Sequence, residues 1–134
     1  MTLLEEIHAK SRQYQKRIVL PEGTEARTLQ AANQAISDQL AKIILIGSRD
    51  QILHQAQQLN LDRIAEATIV DPSALEKVDE YIELMVKLRG HKGLDADQAR
   101  GLLSDPLYLS TVMIKNGDAD GEVAGAMNAT GDVL

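Results

Sequence analysis

The sequence predicts an α/β fold: three layers, α/β/α, around a mostly parallel sheet. Two observations carry this. Arg17-Ile18-Val19-Leu20, Lys42-Ile43-Ile44-Leu45-Ile46 and Ala67-Thr68-Ile69-Val70 are continuous apolar runs rather than alternating ones, as expected of strands covered on both faces. The segments between them carry apolar residues at helical spacing, and such alternation implies crossover connections and a parallel sheet.

Each element has its own signal. Leu3, Leu4, Ile7, Ser11 and Tyr14 recur at helical spacing and predict a first helix of about three turns. Pro21 and Gly23 end the first strand. Thr24 is a candidate N-cap for a second helix with Leu29, Ala32, Ile36 and Leu40 along one face. Gly47 breaks the second strand, and Ser48 with Gln51 predicts a capping box for a helix reaching about Leu59.

After the third strand, Asp71-Pro72-Ser73 predicts a helix start, with Ser73 and Glu76 as a second capping box. That helix would turn Leu75, Val78, Ile82, Met85 and Val86 inward and end near Gly90. Two shorter helices are expected over 96–103 and 106–115. Asp95 and Asp105 would cap them, Pro106 would take the first helical position, and Asn116-Gly117 would close the second. Glu122-Val123-Ala124 is the fourth strand candidate.

Composition narrows the function. A chain of 134 residues fits one domain, and 44% hydrophobic with 25% charged residues excludes a disordered chain. The net charge of −6, with no basic run, argues against nucleic acid. With no Phe, no Trp and three Tyr there is no stacking platform for single strands. The absence of cysteine excludes disulfides and thiol chemistry and fits a reducing cytoplasm. No segment is long and apolar enough for a membrane span.

In parallel sheets ligands bind beyond the carboxyl ends of the strands. Pro21-Glu22-Gly23-Thr24 and Gly47-Ser48-Arg49-Asp50 lie at such ends and could hold an anion on backbone N–H groups. The same residues are what any tight strand-to-helix turn needs. Lys87-Leu88-Arg89-Gly90-His91-Lys92-Gly93-Leu94 places guanidinium and ammonium groups beside two glycines, which suits phosphate. A helix end whose cations complement the dipole has the same composition.

Gly125-Ala126-Met127-Asn128-Ala129-Thr130-Gly131-Asp132 would let a backbone approach a ligand closely, but it is neither a dinucleotide fingerprint nor a P-loop. His8, His54 and His91 are scattered, and no metal site is expected. Asp118 and Asp120 read as loop solvation. No nucleophile–base constellation can be assembled, so no catalytic residue is identifiable.

Four ordered blocks carry a resemblance. Arg17-Ile18-Val19-Leu20-Pro21-Glu22-Gly23-Thr24-Glu25-Ala26-Arg27, His91-Lys92-Gly93-Leu94, Asp105-Pro106-Leu107-Tyr108 and Asp118 through Asp132 resemble successive blocks of the phosphate acetyltransferase and phosphate butyryltransferase family. The resemblance covers about residues 15 to 134. It implies a two-domain α/β/α enzyme, usually dimeric, of which residues 1–134 form an incomplete first domain, with no second domain in the chain.

The implied reaction is reversible acetyl transfer between acetyl phosphate and coenzyme A, with coenzyme A as co-substrate rather than a permanently bound cofactor. A carboxylate deprotonates the thiol, the thiolate attacks the acetyl carbonyl, and phosphate leaves. By the resemblance, Arg89 binds coenzyme A or phosphate, and Asn128, Thr130 and Gly131 line the acyl phosphate pocket. Ala129 stands where a Ser or Thr is commoner, and Leu94 replaces Met. The family's base aspartate, with its neighbouring serine and arginine, lies later in the sequence, so the fragment alone is expected to be inactive. The same resemblance leaves a butyryltransferase or a non-catalytic acyl-CoA-sensing module as alternatives. Missing strands would expose sheet edge and favour association.

Overall fold

The computed structural model describes residues 2–14 and 17–124. Ten main elements follow one another: α1 (Leu3–Tyr14), β1 (Arg17–Leu20), α2 (Ala26–Ser37), β2 (Lys42–Ile46), α3 (Arg49–Gln58), β3 (Thr68–Val70), α4 (Val78–Arg89), α5 (Ala96–Leu102), α6 (Pro106–Lys115) and β4 (Gly121–Glu122). Short 3-10 turns occupy Ile64–Glu66, Pro72–Ala74 and Gly90–Lys92.

The four strands form one sheet in the order β3-β2-β1-β4, and every pairing is parallel. Alternation within the strands splits the core in two. Ile18, Leu20, Ile43 and Leu45 face Ile7, Leu29, Ala32, Ala35, Ile52 and Ala56 from α1, α2 and α3. Val19, Ile44 and Ile46 face Tyr81, Ile82, Met85, Ala99, Leu109, Val112 and Met113 from α4, α5 and α6. This is the expected three-layer arrangement. Ile36 and Leu40 pack against the first core as their spacing predicts, and Val78 and Val86 against the second.

Two helix starts differ from the sequence expectation. Glu25, not Thr24, caps α2: its carboxylate accepts from the Thr28 backbone N–H at 2.9 Å. A carboxylate reaches the N3 position with the added benefit of the helix dipole. The predicted capping box of Ser73 and Glu76 does not form. Instead the Asp71 carboxylate accepts from the Ser73 N–H at 2.9 Å and its hydroxyl at 2.7 Å, closing a local turn around Pro72. Leu75 is extended, packing on the second core, and α4 begins only at Val78 with no side-chain cap.

The remaining boundaries shift by a residue or two. β3 starts at Thr68, α3 stops at Gln58 with Leu59 as its C-cap, α5 stops at Leu102, and β4 begins at Gly121. Asp95 and Asp105 cap their helices as predicted, and Asp95 with Gln98 forms a full capping box; Ser48 caps α3 by accepting from the Gln51 N–H, without the reciprocal half of the predicted box.

Candidate functional site

The two edges of the sheet are chemically different. At the amino edge, Arg17 opens β1 and Asp120 sits just before β4. The Asp120 carboxylate accepts two hydrogen bonds from the Arg17 guanidinium and one from its backbone N–H, each at 3.0 Å. Asp118 accepts from Lys77 Nζ and from the Tyr81 hydroxyl, both at 2.7 Å, and from Asn116 Nδ2 at 2.9 Å. Asn116 also donates to Glu80. These contacts pin the end of α6 to the start of α4. Asp118 and Asp120 therefore do not merely solvate a loop, as composition suggested; they close the amino edge.

Burial opposes ionisation of Asp118, but the hydrogen bonds from Lys77, Asn116 and Tyr81 outweigh it and hold the carboxyl below its ordinary value. Burial, then the Asp118 charge and hydrogen bond, push the Tyr81 phenol well above its usual value. The hydrogen bond to Asp120 likewise raises Arg17.

These contacts also orient α4. Its N-terminal turns meet the C-terminal end of α6, so the two helices run antiparallel, and the α4 end bearing Arg89 lies toward the carboxyl edge. β4 delivers Ala124 to the same edge. Arg89 is exposed and makes no ion pair or side-chain hydrogen bond among the described residues. It lies between two concavities. One, of about 600 Å³, is lined by Lys92, Gly93, Leu94, Gln98 and Tyr108 as well as Arg89. The other, of about 160 Å³, has Leu84, Leu88 and Val112 with Arg89 and Tyr108.

Gly93 ends the turn after α4 at φ +90°, a left-handed conformation that favours glycine. Gly90, near which the sequence predicts the helix to end, is the C-cap of α4 and keeps a helical φ of −60°. The arrangement offers a guanidinium and an ammonium to an anion, beside an aromatic ring and apolar walls.

The other strand ends are structural. A Cβ on Gly23 would lie 2.5 Å from the Ile46 carbonyl oxygen, and the Gly23 N–H donates to that oxygen at 3.1 Å. The Gly47 N–H donates to Val70 O at 3.0 Å. These two backbone donors are thus used within the sheet rather than offered to a ligand. His8, His54 and His91 are all exposed, and no group of metal-ligating side chains exists among the described residues. Asn128, Thr130 and Gly131, with Ala129, lie outside the described residues.

Fold and site together define an α/β/α domain whose carboxyl edge carries cations unpaired among the described residues. The family described as Phosphate acetyl/butaryl transferase matches residues 2–134, and the chain belongs to it. A phosphate acetyltransferase of Clostridium acetobutylicum is 41% identical over the whole chain, and one of Thermoanaerobacterium thermosaccharolyticum 39%. The chain spans about 40% of the length of each. A phosphotransacetylase structure from Streptococcus pyogenes superposes with a TM-score of 0.81 at 28% identity, covering 97% of this chain and 39% of that one. The EutD phosphotransacetylase from Staphylococcus aureus gives 0.78 at 29% identity, covering 94% and 38%.

Proposed function

We propose that this chain is the N-terminal part of a phosphate acetyltransferase, which transfers acetyl groups reversibly between acetyl phosphate and coenzyme A. The carrying observation is the unpaired Arg89 beside Lys92 at the carboxyl edge, in a chain whose curated relatives are named for this reaction. Arg89 would hold a phosphate of coenzyme A or of the acyl donor, and Asn128, Thr130 and Gly131 would line the acyl phosphate pocket. These are substrate-binding roles; no residue of 1–134 is assigned as the base.

The reaction needs a carboxylate to take the thiol proton. The thiolate then attacks the acetyl carbonyl carbon, the C–O bond to phosphate breaks, and phosphate leaves with the electron pair. With that base supplied from beyond residue 134, the whole protein would be a cytoplasmic enzyme, a homodimer with two domains around a cleft. Coenzyme A release, followed with a thiol reagent, tests the reading on both lengths of chain. The whole protein is expected to turn over acetyl-CoA with phosphate, whereas 1–134 alone shows no rate above buffer. Turnover by 1–134, or preference of the whole protein for butyryl-CoA, would overturn it.

A further inference from the structure

Asn116 precedes Gly117, whereas Asn33, Asn60 and Asn128 precede bulkier residues. A following glycine has no Cβ to hinder its backbone nitrogen from attacking the asparagine carboxamide. In the folded chain both reacting groups are engaged. The Gly117 N–H donates to Ile114 O at 3.1 Å and the Asp118 N–H to Met113 O at 2.8 Å. These are the paired bonds of a helix end closed by a glycine, here at φ +84°. The Asn116 carboxamide is half-buried and donates through Nδ2 to Asp118 at 2.9 Å and to Glu80 on α4.

The neighbours of that carboxamide make an acid in its place costly. Nδ2 is a neutral donor shared between two carboxylates, and it lets Glu80 and Asp118 approach one group. An oxygen of a carboxylate in the same position could donate to neither. It would add a third negative charge within hydrogen-bond reach of two others, against the one ammonium that Lys77 brings to Asp118.

We propose that Asn116 is a deamidation site, held shut by the amino-edge contacts, and that its modification frees the start of α4 from the end of α6. The Gly117 nitrogen loses its proton to solvent and bonds to Asn116 Cγ. The Cγ–Nδ2 bond breaks and ammonia leaves, giving a five-membered succinimide. Water opens that ring at either carbonyl, to aspartate or isoaspartate. Aspartate sets its charge against Glu80 and Asp118. Isoaspartate in addition lengthens the main chain by one methylene and breaks the paired bonds that end α6. The site is independent of the acetyltransferase reading, because it uses none of the residues assigned there.

Peptide mapping of the 134-residue chain aged in neutral buffer, folded and in urea, tests it through the amide-to-acid mass change and isoaspartyl methylation. In urea, Asn116 is expected to deamidate faster than Asn33, Asn60 or Asn128. In the folded chain the rate at Asn116 should fall by about tenfold or more, because the contacts must open first. Glu80→Ala removes one acceptor and should speed folded-state deamidation by about threefold, whereas Glu83→Ala on the same helix should not. Asn116→Asp should have a lower urea midpoint than Asn116→Ala, since it adds a charge as well as losing the donor. Equal rates in the folded and unfolded chain overturn the proposal. So do an unchanged rate in Glu80→Ala, faster deamidation at another asparagine in urea, or an Asn116→Asp midpoint at or above that of Asn116→Ala.

Discussion

Arg17 and Lys77 at the amino edge of the sheet and Arg89 and Lys92 at the carboxyl edge handle positive charge in opposite ways. At the amino edge Arg17 and Lys77 are each met by a carboxylate delivered from the α6–β4 connection. At the carboxyl edge Arg89 and Lys92 stand exposed with no carboxylate answering them among the described residues. A paired cation fixes the fold, because its charge is already used; an unpaired one costs little in water and remains available to a ligand. The contrast separates residues that hold this domain together from residues that can serve it.

The sharpest test of that division is at Gly23, which lies at the carboxyl edge yet is structural. Gly23→Ala drives a Cβ into the Ile46 carbonyl, a backbone atom that cannot swing away. A loss of about 3 kcal/mol is expected, read from the urea midpoint. An unchanged midpoint would return this loop to the list of ligand-binding candidates.

Asp120→Ala should come next, at about 2 kcal/mol. It removes three hydrogen bonds from Arg17 and the anchor of β4, but the pair is partly solvated and its charge term correspondingly screened. Arg89→Gln is expected to change stability by less than about 0.5 kcal/mol, since an exposed side chain without partners supports nothing. The same substitution in the whole protein should raise KM for coenzyme A by about tenfold, the loss of one charge-assisted contact.

The smallest effect is a pH dependence. Asp118 has a folded-state pKa below its unfolded value. Its contribution is therefore fully present above the ordinary aspartate range, and it is lost as pH falls through the depressed folded value. Urea midpoints between about pH 5 and pH 2 should fall less steeply in Asp118→Asn than in the parent. A steeper fall would mean that burial, not hydrogen bonding, dominates at this carboxyl.

Most of the fold was legible because its signals are local. Continuous apolar runs marked the strands, and Ser48, Asp95 and Asp105 capped their helices as their positions suggested. The start of α4 was not legible. Asp71 satisfied its own turn first, a competition between side chain and helix that spacing alone does not resolve. The roles of Asp118 and Asp120 were hidden for a different reason. Their partners are 41 and 103 residues away, and only strand order brings them together. Arg89 was found from composition and resemblance, and its exposed, unpaired state is what the structure adds.

The central claim is that the unpaired Arg89 binds and the paired Lys77 holds. Coenzyme A titrations of the whole protein, read as heat or as amide shifts, test it directly on Arg89→Gln and Lys77→Gln. The account predicts about tenfold weaker binding for Arg89→Gln and unchanged affinity for Lys77→Gln. Loss of affinity in Lys77→Gln with none in Arg89→Gln would contradict it.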